Sequence, residues 1–374
     1  MEKTKRNPSV DLIRIVAVYC VISVHFFLNN GFYSANIEGS KMFWMTVLRN
    51  FFMICVPLFM ILTGYLNGKK ELKKGYFKGI GSIIGTYLLA TFACLVFKHF
   101  ALCQDFTLAE VIGGIQDFSI ATYAWYINMY IGLFCLIPFL NIVYKNLPSK
   151  KDKLVLLMVM LFLTAAPHLT NSFNFTVEGW WRVPTLSQET FKILPTWWIG
   201  IYPITYYYIG CYIKEYDIKM KWYVNLFLIV FFALVFGAFN FWRSHNGGFV
   251  WGPYQNWGAL PVLILAVLVF VFLLHLDLTK FPKWVQHKLA QLSKLCLGAY
   301  LVSYIFDCIF YDQLNSNVTS VPEKLPYYIQ IVPWVFVYSM TLSCFLYGIQ
   351  WILSRGFREL YQLFVNVKNG IKQK

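Results

Sequence analysis

The chain has 374 residues, of which 58% are apolar and 13% charged, with a mean hydropathy of +0.55 and a net charge of +15. That balance excludes a soluble domain of this length and predicts an all-α, polytopic membrane helix bundle. The positive charge calls for no nucleic acid, because topology accounts for where it falls.

Ten apolar segments are long enough to be read as spans: 9–29, 43–67, 80–100, 122–143, 153–168, 195–213, 222–242, 257–276, 293–312 and 327–353. With the N-terminus taken as cytoplasmic, the inner segments hold Lys3, Lys5 and Arg6, five lysines between 69 and 78, four between 145 and 153, three between 214 and 221, four between 280 and 294, and Arg355, Arg358, Lys368, Lys372 and Lys374. That is 24 of the 32 basic residues. The bias predicts an even number of spans with both termini inside. The resulting basic inner face would attract anionic lipids or a polyanionic cofactor.

The first span carries two ionisable residues, Arg14 and His25. Eleven residues separate them, about 16 Å of helical rise, and eleven steps of roughly 100° return to within about 20° of the same face. One stripe thus bears a guanidinium near the inner surface and an imidazole past the midplane. Ionisable groups at such depth are costly and read as functional. Arg14 alone also suits a snorkelling anchor paired with Asp11. The Arg14 interruption and the lack of a small-x-small site argue against a cleaved signal peptide.

The second span contains Pro57, which should kink it, and Gly64, which permits close approach of a helix or a ligand. Its outside-to-inside course puts Arg49 near the outer end and Thr63 and Gly64 level with Arg14. The fourth span opens on Trp125, suited to an interfacial belt, and carries Asn128, whose carboxamide needs partners in the outer half. Outer loops at 30–42, 101–121, 169–194, 243–256 and 313–326 are longer than the inner ones. Trp180, Trp181, Trp197, Trp198, Trp242, Trp251, Tyr254 and Trp257 in or beside them offer faces for sugar stacking or belt anchoring. The ninth span places Asp307 about as deep as His25, where it can orient the imidazole or raise its basicity, or else stand exposed at a water-filled mouth. Eight of nine cysteines fall in spans, only Cys103 looks loop-borne, and neither Cys-x-x-Cys nor metal-ligand spacing occurs. No metal is expected.

Together these residues resemble the acyltransferase-3 family of bacterial integral-membrane O-acyltransferases, over essentially the whole chain. Arg14 and His25 match its Arg-x10-His signature. The run Val56-Pro-Leu-Phe-Met-Ile-Leu-Thr-Gly-Tyr-Leu66 resembles its Pro-x-Phe-Phe-x-x-Ser-Gly-Phe/Tyr-Leu segment, with Thr63 where Ser is commoner. Trp125-Tyr-Ile followed by Pro138 resembles its Trp-Phe-Leu…Pro segment, and Tyr208-Ile-Gly-Cys its Phe-x-x-Gly pattern. Many members read Ile-Tyr-Leu-Ile-His late in the chain, where this one has Ala299-Tyr-Leu-Val-Ser303, so no role passes to that histidine. Residues 1–374 are expected to form one transmembrane domain without the esterase-like domain of longer relatives.

The resemblance implies a multi-pass protein of a bacterial cell membrane that moves an acyl group, usually acetyl, from cytoplasmic acetyl-CoA to a hydroxyl of a cell-surface glycan or its lipid-linked precursor. On that reading Arg14, Thr63 and Gly64 serve the donor, and Arg49, Trp125 and Asn128 serve the acceptor. His25 acts as general base or as transient acyl acceptor, and Asp307 stands beside it. The rival classes are a proton-coupled transporter or flippase, disfavoured by the lack of an inverted repeat, and a sensor that binds donor without turnover.

Overall fold

The computed structural model describes residues 6–171, 173, 175–182, 194–252 and 255–372. Twelve α-helices follow in order: α1 Pro8–Asn29, α2 Gly39–Phe52, α3 Cys55–Asn67, α4 Gly81–Phe100, α5 Leu108–Gln116, α6 Trp125–Lys145, α7 Lys150–Thr170, α8 Tyr202–Tyr216, α9 Trp222–Ser244, α10 Leu260–Leu274, α11 Lys283–Asn317 and α12 Leu325–Lys372. An isolated bridge pairs Ile37 with His245.

Local chemistry sets several boundaries. Asn7 caps α1 by accepting from the Ser9 amide, and Pro8 fills the first helical position, where a missing N–H costs nothing. Ser149 and Asp152 form a reciprocal capping box at the start of α7. Pro57 cannot donate to the Met53 carbonyl and crowds it, so the expected kink is a full break at Met53–Ile54 between α2 and α3. The Cys55 thiol turns to that freed carbonyl at 3.9 Å.

Nine helices among the described residues are long and apolar enough to cross a membrane, against ten segments expected. The exception is 195–213. It forms a 3₁₀ turn at Thr196–Ile201 and the 15-residue α8, whose tyrosines dilute its hydropathy. Burial compensates: Tyr206 and Tyr207 have no exposed surface and pack against α3. α8 still joins both ends of the bundle. Asn171 hydrogen-bonds the Leu194 carbonyl ahead of it, and Lys153 meets Glu215 near its end at 2.7 Å.

The basic segments gather at one end of the bundle. There Arg6 reaches the Ala290 carbonyl, Ser9 the Leu276 carbonyl and Lys145 the Glu71 carboxylate. Lys73 and then Lys145 hold the Glu71 carboxyl below its usual range. The opposite end collects Lys41 against Glu323, Asn315 against the Asn29 carbonyl, and Lys324 against the Asn30 carbonyl. α1 lies at the centre, with Ile13, Ala17, Val18, Ile22 and Phe26 fully buried, packed mainly on α11 and α3.

Candidate active site

α1 and α11 run side by side and meet at two depths. Near the basic end, Arg14 Nη1 donates to Ser293 Oγ at 3.1 Å. Toward the other end, His25 Nδ1 lies 3.2 Å from Asp307 Oδ2. The two groups stand at ion-pair distance, in a geometry short of a well-formed hydrogen bond. Such pairs commonly tighten only when substrate is bound. His25 is 7% and Asp307 2% exposed.

A cavity of about 360 Å³ connects the two depths. Arg14, Asn67, Ser293 and Lys294 line it at the basic end, and His25, Trp125 and Trp257 at the other. Its middle is apolar, walled by Val21, Val56, Phe59, Leu62 and Leu297. It therefore follows the roughly 16 Å of α1 between Arg14 and His25. Because His25 turns Nδ1 to Asp307, the other ring nitrogen is the one available to the cavity. Asp307 does not line the cavity and meets it only through His25.

Arg14 is not simply anchored by Asp11. Arg6 occupies that carboxylate with two hydrogen bonds of 2.7 Å, and Arg14 has one contact to it of 3.3 Å. The Arg14 side chain keeps 31% exposure, which leaves donors facing the cavity. Thr63 also lines the wall, its hydroxyl donating to the Phe59 carbonyl at 2.7 Å.

Three of the expected site residues lie elsewhere. Gly64 does not line the cavity: a Cβ there would collide with the Tyr207 backbone of α8. Gly210 meets the Ile61 backbone in the same way, so the pair marks the closest approach of α3 and α8. Gly64 is thus a packing notch, and its carbonyl accepts from the Cys211 thiol at 3.5 Å. Arg49 is 1% exposed and lies outside the cavity. Tyr33, Phe249 and Trp251 surround its guanidinium at 5.4, 4.9 and 5.1 Å, and it donates to the Tyr33 hydroxyl at 3.0 Å and to Asn50 Oδ1 at 3.2 Å. Asn128 is exposed and lies outside the cavity wall, although its neighbour Ile127 lines it.

Trp125 does reach the cavity. It stacks on Trp257 with centroids 4.4 Å apart, and the Tyr206 hydroxyl donates to the Trp257 carbonyl at 2.5 Å. Other expected outer tryptophans pair away from the cavity, Trp181 on Trp242 at 4.3 Å and Trp197 on Trp198 at 4.4 Å. Tyr254 lies outside the described residues. The sequence reading missed Ser293 and Lys294, which follow Asp307 to the same helix, and Tyr123, which touches both His25 and Asp307.

The model of the acyltransferase-3 family, described as an acyltransferase domain, matches residues 7–349. The chain belongs to the acyltransferase-3 family. No curated protein and no solved structure matches it. The matched region of this acyltransferase-3 chain contains Asp307 and every cavity-lining residue, Arg14 and His25 among them. With nine apolar helices of spanning length, it is a multi-pass membrane acyltransferase.

Proposed function

We propose that this acyltransferase transfers an acetyl group from acetyl-CoA to a hydroxyl of a cell-surface polysaccharide or its lipid-linked precursor, in a bacterial cell membrane. The observation that carries the reading is the continuous cavity with Arg14 and Lys294 at its basic end and His25, backed by Asp307, at the other. Cationic and hydroxyl donors suit the phosphates of CoA, and the narrow apolar middle suits an extended thioester arm. The stacked Trp125–Trp257 pair gives the far end an aromatic face against which a sugar ring can lie.

Chemistry at His25 has two balanced forms. In direct transfer the neutral imidazole takes the proton of the acceptor hydroxyl as its oxygen attacks the thioester carbonyl; CoA leaves as thiolate and receives that proton. In the two-step form the imidazole nitrogen attacks the thioester carbonyl and CoA leaves as thiolate; the acceptor hydroxyl then attacks the acyl-imidazole carbonyl, the C–N bond breaks to return neutral imidazole, and the hydroxyl proton passes to the CoA thiolate. Asp307 favours the imidazolium that develops in either form.

The test is CoA release and glycan acetylation in proteoliposomes given acetyl-CoA and cell-envelope glycan of the source organism. Stoichiometric CoA release with acetylated glycan is expected. Movement of glycan without CoA release would favour a transporter or flippase, and donor binding without either would favour a sensor.

A further inference from the structure

Tyr123 was not marked by any motif, yet it touches both His25 and Asp307. It is 6% exposed and stands just ahead of α6. Its hydroxyl donates to Asp307 Oδ2 at 2.8 Å, the same oxygen that faces His25 Nδ1. Its ring lies over the imidazole with centroids 3.7 Å apart and planes inclined by 32°. Both of its ends are held. Asn29 Nδ2 donates to the Tyr123 hydroxyl oxygen and to the His25 carbonyl, each at 3.0 Å, and the Tyr300 hydroxyl donates to the Tyr123 carbonyl.

We propose that Tyr123 is a positioning residue for acyl transfer, the third member of a His25–Asp307–Tyr123 group; this rests on His25 being the catalytic base or acyl acceptor. Two effects follow from the geometry. First, the Asp307 carboxylate is buried, and its other oxygen, Oδ1, makes no hydrogen bond. The Tyr123 hydroxyl therefore holds the carboxylate through Oδ2, with the buried Tyr311 hydroxyl the other phenol beside it, and steadies the orientation that Asp307 imposes on His25. Second, the imidazole becomes cationic only as it takes the proton or the acyl group. An aromatic face on one side and a carboxylate edge on the other both favour that cation over the neutral ring. Interactions that strengthen in the transition state raise kcat and leave donor binding alone.

A tyrosine that merely filled space would be replaceable by phenylalanine, which decides the experiment. Kinetics are read as CoA release in proteoliposomes supplied with acetyl-CoA and cell-envelope glycan of the source organism. Tyr123→Phe keeps the ring over His25 and removes the donor to Asp307. Its kcat should fall by about 10- to 100-fold, the cost of losing a hydrogen bond to a charged group, with donor KM unchanged. Tyr123→Leu, which also loses the stacked face, should fall further. The double variant Tyr123→Phe/Asp307→Asn should be no slower than Asp307→Asn alone, because both changes break one unit. Unchanged kcat in Tyr123→Phe, or losses that simply multiply in the double variant, would overturn the proposal. If Tyr123→Phe does not yield folded protein, Asn29→Leu carries the test. It frees the Tyr123 hydroxyl without touching Asp307, so kcat should drop at constant donor KM, and an unchanged kcat overturns the assignment. Failure of the underlying reading looks different: His25→Gln would then stay active, whereas an inactive His25→Gln beside a fully active Tyr123→Phe sinks only the role of Tyr123.

Discussion

A sugar hydroxyl is a poor nucleophile near neutral pH, and imidazole is the side chain best matched to relieve it of a proton. His25 is the one histidine among the described residues that line the cavity. Loss of a general base typically costs about 10²- to 10⁴-fold in rate, so His25→Ala should abolish detectable acetylation while acetyl-CoA binding persists. His25→Gln keeps size and a hydrogen bond but not basicity and should fail equally. Near-normal turnover in the Gln variant would return His25 to a packing role. On the proposed function Arg14 serves the donor. Arg14→Ala should raise the KM for acetyl-CoA by about 10- to 100-fold, as expected for hydrogen bonds to a charged group, with little change in the acceptor KM. Arg14→Lys should lie between, since the charge stays but the planar fork is lost. Equal KM values for wild type and Arg14→Ala would make Arg14 a simple snorkelling anchor.

Helix α3 shows how one element serves both packing and site. The break forced by Pro57 aims Cys55, Val56 and Phe59 at the cavity, and the Gly64 notch brings α8 against the opposite side. Gly64→Ala puts a methyl group into the Tyr207 backbone, which cannot swing aside as a flexible side chain would. Overpacking of this kind costs about 1–3 kcal/mol, so the melting temperature of the purified protein should fall clearly. Gly132→Ala in α6 is the control. Nothing lies within 4 Å of its added Cβ, and the loss of unfolded-chain freedom should leave stability unchanged or raised by about 0.4–1 kcal/mol. If both variants melt alike, the α3–α8 approach is looser than described.

At the scale of the molecule, the sidedness of the charge predicts which way the proposed reaction runs across the membrane. The basic residues Arg6, Lys145 and Lys153 make their contacts at the end of the bundle where Arg14 lies. The positive-inside rule predicts that this end faces the cytoplasm, the side from which the proposed donor would arrive, and that the Trp125–Trp257 end faces out. Reporters fused after Lys74 and after Gly247 should therefore be active on opposite sides of the membrane. Activity on the same side would break this topology and the donor-inside direction with it.

The membrane class, most span positions, and the pairing of Arg14 with His25 could be read without coordinates, because hydropathy and the 3.6-residue period act locally along one chain. The sharing of a depth by His25 and Asp307 could also be counted, since both helices start from the same basic surface. The sequence was misleading where a residue's partner lies far off in the chain. Gly64 reads equally well as a ligand cradle or a helix notch until α8, some 140 residues later, is seen to fill the space. Arg49 reads as an acceptor ligand until loop residues Phe249 and Trp251 close over it. Asn128 reads as a buried amide until the rotation of α6 turns it outward. Nothing in the sequence separates Tyr123 from the other 24 tyrosines. Only packing set its hydroxyl on Asp307 and its ring on His25, because contacts between helices depend on crossing and rotation, which composition and periodicity do not encode.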